Sequence, residues 1–277
     1  MTAVILALLL WGVGEAIFLG IFFAIVTIVV LTLLASAWRT LRVVKEGRTD
    51  DIRWESEFHD LPASSRICRH EFTGEFEHRT CGNGFNCNGC ATHAKLIAQK
   101  PEETIPASMQ TTAGFAVPLD RMYHRGHTWV KPEEDGTYTI GVDDFASRLT
   151  GKPERVEAAK AGTHLHVNGE ALTFFRGQHA MRFLAPIEGN VVETSQGENG
   201  WYLRLKPVTG KTKTGHLLRG GEVTAWIERE FARLQQLLAD PAVGVTLPDG
   251  GMAVDDIQAA YPEKDWDAIY GTMFLEP

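Results

Sequence analysis

Charge is almost absent from the amino-terminal part of this 277-residue chain. Between residues 3 and 38 the only charged residue is Glu15, and residues 16–37 are uncharged and rich in Ile, Val, Leu and Phe. About 20 such residues are enough for a helix to cross a bilayer. The sequence therefore predicts one transmembrane helix within residues 1–38. We expect Glu15 to lie near the outer end of the span, because a carboxylate at the bilayer centre is costly.

Basic residues are also lacking before the apolar run, whereas four follow it: Arg39, Arg42, Lys45 and Arg48. The positive-inside rule then predicts a single-pass protein of the cytoplasmic (inner) membrane with its soluble part in the cytoplasm. A secretory signal peptide is the alternative interpretation. It is disfavoured because its basic first region is missing and the apolar run is longer than such peptides need.

Enzyme motifs are lacking as well. The chain has no Ser-His-Asp pattern, no His-Glu-x-x-His and no Gly-rich dinucleotide fingerprint, so the motifs indicate a non-enzymatic protein. A net charge of −8 argues against nucleic acid as a partner.

His164 and His166 share one face of a predicted strand, and we interpret them as a partly exposed strand face rather than a metal-binding pair.

Cysteine is scarce, and all four cysteines lie close together in the spacing C-x12-C-x5-C-x2-C: Cys68, Cys81, Cys87 and Cys90. A reducing cytoplasm disfavours structural disulfides. Four thiolates in a Gly- and Asn-rich segment are typical of tetrahedral Zn²⁺, and an iron–sulfur cluster uses the same ligands. The sequence predicts a four-cysteine metal site holding zinc or, alternatively, an iron–sulfur cluster. A redox-active or simply reduced set of thiols stays open.

Three histidines near the cysteines, His70, His78 and His93, are alternative ligands that would replace one thiolate. His93 follows Cys90 by three residues, at the start of a predicted helix. We interpret His93 as a solvated first-turn histidine.

Six motifs occur in order between Met122 and Pro207. They are Tyr123-His-Arg-Gly-His127-Thr-Trp129-Val130, Glu134-Asp-Gly136-Thr-Tyr-Thr-Ile-Gly141-Val-Asp-Asp-Phe145-Ala, Gly151 with Gly162, Val167-Asn-Gly169, Leu184-Ala185-Pro186-Ile-Glu-Gly189-Asn-Val-Val-Glu193 and Gly200-Trp-Tyr-Leu-Arg-Leu-Lys-Pro207. Together they resemble the H protein of the glycine cleavage system, over roughly a third of the chain. The alternation of apolar and polar residues between Gly-bearing turns independently favours a β-sandwich or barrel-sandwich hybrid.

The resemblance implies a lipoyl-lysine, and the family's spacing before Ala185 places that position at Gln178. An amide cannot be acylated as an amine can, and no lysine lies between Lys160 and Lys206. The loop before Trp201 is also shorter than the family's. We therefore expect no lipoate on this chain.

Composition divides the chain into six segments. We predict an anchor (1–38), a charged connector (39–64), a four-cysteine module (65–100), a linker (101–121), an H-protein-like β domain (122–207) and a C-terminal α+β extension (208–277). The extension should contain a strand at 243–247 and a turn at 248–251. It should also contain an amphipathic helix that packs on the β domain or, alternatively, binds a partner, with apolar residues Val223, Trp226, Ile227, Phe231, Leu234 and Leu238.

The predicted fold class is α+β, and the predicted role is an interaction or scaffold subunit of a membrane-associated complex. A hairpin without the lysine would still present Arg176, Gln178, His179 and Arg182 to a protein partner. The alternatives are an iron–sulfur electron-transfer subunit of a membrane redox complex and a genuine carrier that uses another attachment residue.

Overall fold

The computed structural model of the protein describes residues 2–45, 58–98, 109–208, 212–239 and 254–275. They divide into two compact units, residues 1–52 and 53–277. Several predicted features lie outside the described residues: Arg48, the side chains of Glu15, Arg42 and Lys45, the strand at 243–247 and the turn at 248–251.

The first unit contains one long helix, α1 (Thr2–Lys45), which Gly12 and Gly14 do not interrupt. Leu, Ala and Ile favour a helix here, and no proline breaks it. The side chains of Phe18–Arg39 are all exposed within the unit. This segment is long and apolar enough to cross a membrane, and an apolar helix near the amino terminus is also compatible with a signal sequence.

The second unit mixes helices and strands. Its described helices are α2 (Arg69–Phe72), α3 (Ala91–Ile97), α4 (Asp144–Thr150), α5 (Gly221–Leu238), α6 (Ile257–Ala260) and α7 (Trp266–Met273). Its described strands are β1 (Met109–Thr112), β2 (Phe115–Pro118), β3 (Met122–Tyr123), β4 (Thr128–Pro132), β5 (Tyr138–Val142), β6 (Arg155–Ala158), β7 (His164–Leu165), β8 (Glu170–Arg176), β9 (His179–Leu184), β10 (Gly189–Thr194) and β11 (Leu203–Lys206).

Two antiparallel sheets form the centre of this unit. The larger has the strand order β3-β4-β5-β11-β10-β7, and the smaller has the order β6-β8-β9. Alternate residues of both sheets enter one apolar core, so that Ile140, Phe183 and Leu205 are completely buried in the same cluster. The predicted α+β class, with an apolar amino-terminal helix and a domain of short strands, is confirmed at this level.

Helix α5 packs against that core. Val223, Trp226, Ile227 and Leu234 are at most 2% exposed, and Phe231 is partly buried against the same cluster. Their spacing places them on one helical face. The predicted packing of this helix on the β domain is confirmed.

The predicted linker differs from the structure in its second half. Strands β1 and β2 form a hairpin there, with Thr112 opposite Phe115. Phe115 and Val117 are buried in the main core. Ala113 and Gly114, both with positive φ, form the turn. Alternate apolar residues gain burial as a strand, and this gain outweighs the turn-forming character of the surrounding sequence.

Candidate functional site

Gln178 lies at the tip of a β-hairpin. Strands β8 and β9 pair so that Arg176 is opposite His179, and Gly177 and Gln178 form the two-residue turn between them. Gly177 has a φ of 58°, a conformation that glycine adopts without the strain a Cβ would cause. Gln178 is exposed. The hairpin therefore holds a neutral amide in solvent.

The turn end of this hairpin is bound by the C-terminal segment. Arg176 donates two parallel hydrogen bonds to Asp256, at 2.8 and 2.7 Å, and a third to the Thr150 carbonyl oxygen at 2.7 Å. Hydrogen bonding from Arg176 lowers the pKa of Asp256. Gly151 leaves space for the pair, because a Cβ at that position would lie 2.1 Å from the Arg176 guanidinium and 2.6 Å from the Asp256 carboxylate.

A second contact reaches the hairpin from helix α7. The Nδ1 atom of His179 lies 2.7 Å from Oδ1 of Asp267. Arg176 and His179, which the sequence predicted to face a partner, are thus engaged within the chain. Their carboxylate partners lie 80 and 88 residues away in sequence, so no local pattern indicated these contacts.

The cysteine segment begins with an antiparallel bridge between Ile67 and Thr80. The Cys68 amide donates to the Arg79 carbonyl oxygen at 2.8 Å, and the Cys81 amide donates to the Arg66 carbonyl oxygen at 2.5 Å. Cys68 therefore lies opposite Arg79 and Cys81 lies opposite Arg66, on either side of the Ile67–Thr80 bridge, although 12 residues separate the two cysteines in the chain.

The loop after Cys81 wraps its backbone around that sulfur. Gly84 and Phe85 both have positive φ, and the Phe85 amide donates to Cys81 Sγ at 3.3 Å. Cys87 begins a single 3-10 turn, and Cys90 directly precedes α3. Gly84 and Phe85, and not an asparagine, adopt the left-handed conformation in this Gly- and Asn-rich loop.

Two buried arginines face the cysteine sulfurs. Arg125 is 8% exposed, donates to the Ile67 carbonyl oxygen at 2.6 Å and lies over the Phe85 ring. Burial lowers the pKa of Arg125, and the sulfurs of Cys87, Cys81 and Cys68 oppose that change. Arg69 pairs with Glu222 and also interacts with Cys87.

The same arginines affect the pKa of the Cys87 thiol. Burial raises the pKa of Cys87, while the positive charges of Arg69 and Arg125 oppose the rise. Burial likewise raises the pKa of Cys68. An anion at the sulfurs would therefore meet two fixed positive charges, which is an environment suited to bound thiolates.

All four cysteines are free thiols. Within the described residues, the three-residue group whose potential metal-ligand atoms all lie within 4.8 Å of one another is His164, His166 and Glu188, and the cysteines do not form such a group. The four-cysteine metal site at Cys68, Cys81, Cys87 and Cys90 stays a prediction.

The interpretation of His93 as a solvated histidine is wrong. His93 is 6% exposed, and its Nδ1 atom lies 3.0 Å from Nε2 of His70, which is also buried. Helix α3 turns His93 inward because its first turn packs against α2 and the loop at Gly215, where Asn88 accepts the Gly215 amide. His78, in contrast, has a side chain that is 91% exposed.

Two further histidines lie between the cysteine segment and the sheets. His216 donates from Nε2 to the Pro186 carbonyl oxygen at 2.8 Å, and His124 Nε2 lies 2.8 Å from Asn168 Oδ1. Burial lowers the pKa of His124 to about 3 and that of His216 to about 4. Both rings are therefore neutral at pH 7 and act as structural hydrogen-bonding groups.

Comparison with known proteins identifies the β domain. The family model described as "Glycine cleavage H-protein" matches residues 121–230, which extends past the predicted domain end at Pro207 into α5. The glycine cleavage system H protein of Psychrobacter arcticus is 31% identical over 105 residues, covering 33% of this chain and 82% of the relative. That of a Shewanella species (strain W3-18-1) is 27% identical over 128 residues, covering 41% and 98%.

A solved H protein from Mycobacterium marinum is 20% identical, with a TM-score of 0.31, and covers 35% of this chain and 91% of its own. The sequence relatives define residues 121–230 as an H-protein-type domain. The chain belongs to the glycine cleavage H-protein family. The resemblance predicted from the six motifs is confirmed.

The lipoyl group that the family implies does not fit the hairpin. Its attachment requires an amine, and the side chain at the exposed tip, Gln178, ends in a neutral amide. The residues on either side of the turn, Arg176 and His179, are not lysines either, and both are paired with carboxylates. That Gln178 occupies the family's lipoyl position stays a prediction from spacing.

Proposed function

We propose that this protein is a membrane-anchored, non-lipoylated member of the H-protein family that serves as an interaction subunit and contains a structural zinc site at its four cysteines. The exposed Gln178 at the tip of a well-formed hairpin is the observation that carries this proposal. H proteins of the glycine cleavage system are the relatives of the domain, and a hairpin without an amine keeps their shape without an attachment point.

The hairpin is positioned for recognition rather than for chemistry. The residues on either side of its turn are fixed by the contacts of Arg176 with Asp256 and of His179 with Asp267, so that the tip is held in one place. A preorganised tip loses little conformational entropy when a partner binds it. Fixed flanking residues and an exposed Gln178 together support a binding role.

Photocrosslinking tests this role. A photoreactive amino acid at Gln178 should give a discrete crosslinked protein in membranes of cells that make this protein. The same amino acid at Val192, an exposed position on β10 of the other sheet, is the matched control and should not give that product. Equal crosslinking from both positions, or none from Gln178, would contradict a partner at the tip.

The absence of lipoylation is tested by mass. The intact mass of the protein from cells with an active lipoylation pathway should equal that of the unmodified chain, because Gln178 offers no amine. A lipoyl-sized increment on the wild-type protein would refute the proposal and favour a genuine carrier.

The cysteine site is supported by its surroundings. An amide already wraps around Cys81, and a tetrathiolate zinc site with its net negative charge would lie beside the buried guanidinium groups of Arg69 and Arg125. Elemental analysis of anaerobically purified protein should find zinc, and Cys87→Ser should lower the zinc content by one equivalent. Iron with a brown colour would instead favour the iron–sulfur electron-transfer function.

The anchor is supported by the exposed apolar side chains of Phe18–Arg39. Cytoplasmic orientation of the second unit follows from the basic residues after the span. A reporter that works only in the cytoplasm, fused after residue 277, should be active. A reporter active on the other side, or cleavage of the amino-terminal segment on export, would contradict the orientation.

A further inference from the structure

Three metal-binding side chains meet at the edge of the six-stranded sheet. His164 lies on the edge strand β7, His166 follows that strand, and Glu188 precedes β10, which pairs with β7. Their potential ligand atoms all lie within 4.8 Å of one another. The sequence placed the two histidines on one face, but Glu188 lies more than 20 residues farther along the chain and joins them only through the β7–β10 pairing.

We propose that His164, His166 and Glu188 form a second metal site, which binds Zn²⁺ with a water molecule as its fourth ligand. Nε2 of His164 lies 3.1 Å from Oε1 of Glu188, and Nδ1 of His166 lies 3.6 Å from the same oxygen. Two ligands of a tetrahedral zinc, each about 2.0–2.1 Å from the metal, lie about 3.3 Å apart. The observed separations lie on either side of that value.

The hydrogen bond of His164 with Asn190 favours a cation between His164 and Glu188. The Oδ1 atom of Asn190, an acceptor, lies 3.0 Å from Nδ1 of His164, so this contact is a hydrogen bond in the tautomer that carries its proton on Nδ1. In that neutral tautomer Nε2 has a lone pair, and it lies 3.1 Å from the Glu188 carboxylate oxygen Oε1. Two acceptors at this distance repel each other unless a cation lies between them.

Such an arrangement is typical of metal-binding histidines, in which the second ring nitrogen bonds to an oxygen and fixes the ligand atom. His166 supplies a further unused group, because its Nδ1 atom is buried and makes no hydrogen bond among the described residues. A proton on Nε2 of His164 would satisfy only the contact of His164 with Glu188. A metal ion would satisfy that contact and the contact of His166 with Glu188.

The site is open to solvent on one side. The side chains of His164, His166 and Glu188 are 36%, 38% and 40% exposed. Three protein ligands with a free position are typical of zinc sites that accept a water or an external ligand. Zn²⁺ suits this set because imidazole nitrogen and carboxylate oxygen are both among its usual ligands.

Equilibrium dialysis of the full-length protein against Zn²⁺ tests the site. The wild-type protein should bind one zinc equivalent more than His164→Ala, and Asn190→Ala should bind that equivalent about 10- to 100-fold more weakly, since it removes the residue that orients His164. His59→Ala, at an exposed histidine in another part of the chain, is the matched control and should bind as wild type does. Equal zinc binding by wild type and folded His164→Ala would overturn the proposal.

Glu188→Gln keeps the proposal testable if His164→Ala does not fold. This variant preserves the shape and removes the carboxylate ligand, so the extra equivalent should be lost. Full retention of zinc by a folded Glu188→Gln protein would also overturn the site.

Co²⁺ separates this site from the cysteines. Thiolate-bound Co²⁺ absorbs strongly in the near ultraviolet by charge transfer from sulfur, and His164→Ala should leave that band unchanged while it lowers the number of bound Co²⁺ ions by one. Cys87→Ser should weaken the thiolate band and leave the histidine site occupied. If the extra equivalent disappears with Cys87→Ser but not with His164→Ala, zinc binds only at the cysteines and the proposal fails.

Discussion

The β domain and the cysteine segment are held together by different interactions. The core shared by both sheets and α5 is apolar, and residues such as Ile140, Leu205 and Trp226 are at most 1% exposed. The cysteine segment buries charged or polar side chains such as Arg69 and His93 beside a small apolar cluster around Phe85, and its Phe72 packs against the main core. We expect the first region to depend mainly on the hydrophobic effect and the second more on paired charges and on the proposed metal.

The largest expected effect comes from removing a cysteine. Cys87→Ser should release one metal equivalent and speed hydrogen exchange in residues 65–98, because structural zinc contributes on the order of 10 kcal/mol of apparent folding free energy. Amides of β5 should stay protected, since their apolar core is unchanged. If anaerobically prepared wild-type protein contains neither zinc nor iron, a metal does not stabilise the cysteine segment, and this difference between the two regions is contradicted.

The apolar region should respond most to Trp226. Trp226 is 1% exposed, and its ring stacks on His127 with centroids 4.8 Å apart. Trp226→Ala should lower the free energy of unfolding by about 3–5 kcal/mol, measured by urea denaturation. Leu237→Ala on the same helix is the matched control, because Leu237 is 37% exposed and should cost far less. A small effect of Trp226→Ala would contradict the dominance of the apolar core.

Acidification should weaken the contacts between the two regions. The pKa values of His124 and His216 fall to about 3 and about 4 in the folded state, against about 6.5 when unfolded. Below pH 6.5 the unfolded chain takes up protons that the folded chain does not, so stability falls as pH falls. The loss should be about 1.4 kcal/mol per pH unit for each histidine.

This loss of stability continues until the pH approaches the folded pKa values. Well above pH 6.5, protonation of these histidines does not change the free energy of unfolding. Urea denaturation at pH 7.5, 6.5 and 5.5 measures it. His216→Gln, which keeps a donor for the Pro186 carbonyl oxygen, should reduce the pH slope by about a third, because burial also lowers the pKa of His93 to about 4 and three histidines contribute. An unchanged slope in that variant would show that other groups cause the acid sensitivity.

The smallest effect is expected beside the turn of the hairpin. Asp256→Asn removes the charge that pairs with Arg176, and the cost should be about 1 kcal/mol or less, because the side chains are 23% and 35% exposed. Hydrogen exchange at residues 176–179 should increase. Asp255→Asn is the matched control, since the Asp255 side chain is 99% exposed. Equal exchange in both variants would mean that Asp256 does not hold the hairpin.

Local sequence patterns predicted the regular elements. The apolar run predicted α1, alternation predicted the strands of the β domain, and helical spacing predicted the buried face of α5 at Val223 and Trp226. Each of these features depends on interactions between residues that are close in the chain or on the periodicity of one element. The position of Gln178 in a hairpin came instead from the family resemblance, through the spacing before Ala185.

Long-range pairing decided the rest. Asp256 and Asp267 reach the hairpin, and Glu188 joins His164, only because the tertiary structure brings distant segments together. The sequence shows that carboxylates are present but not which cation each one meets, since charge has no periodicity that identifies a partner. The sequence by itself determined the family, the apolar core and the absence of lysine between Lys160 and Lys206. The tertiary structure decided which polar groups are buried and paired, because burial and pairing are properties of segments that meet in space.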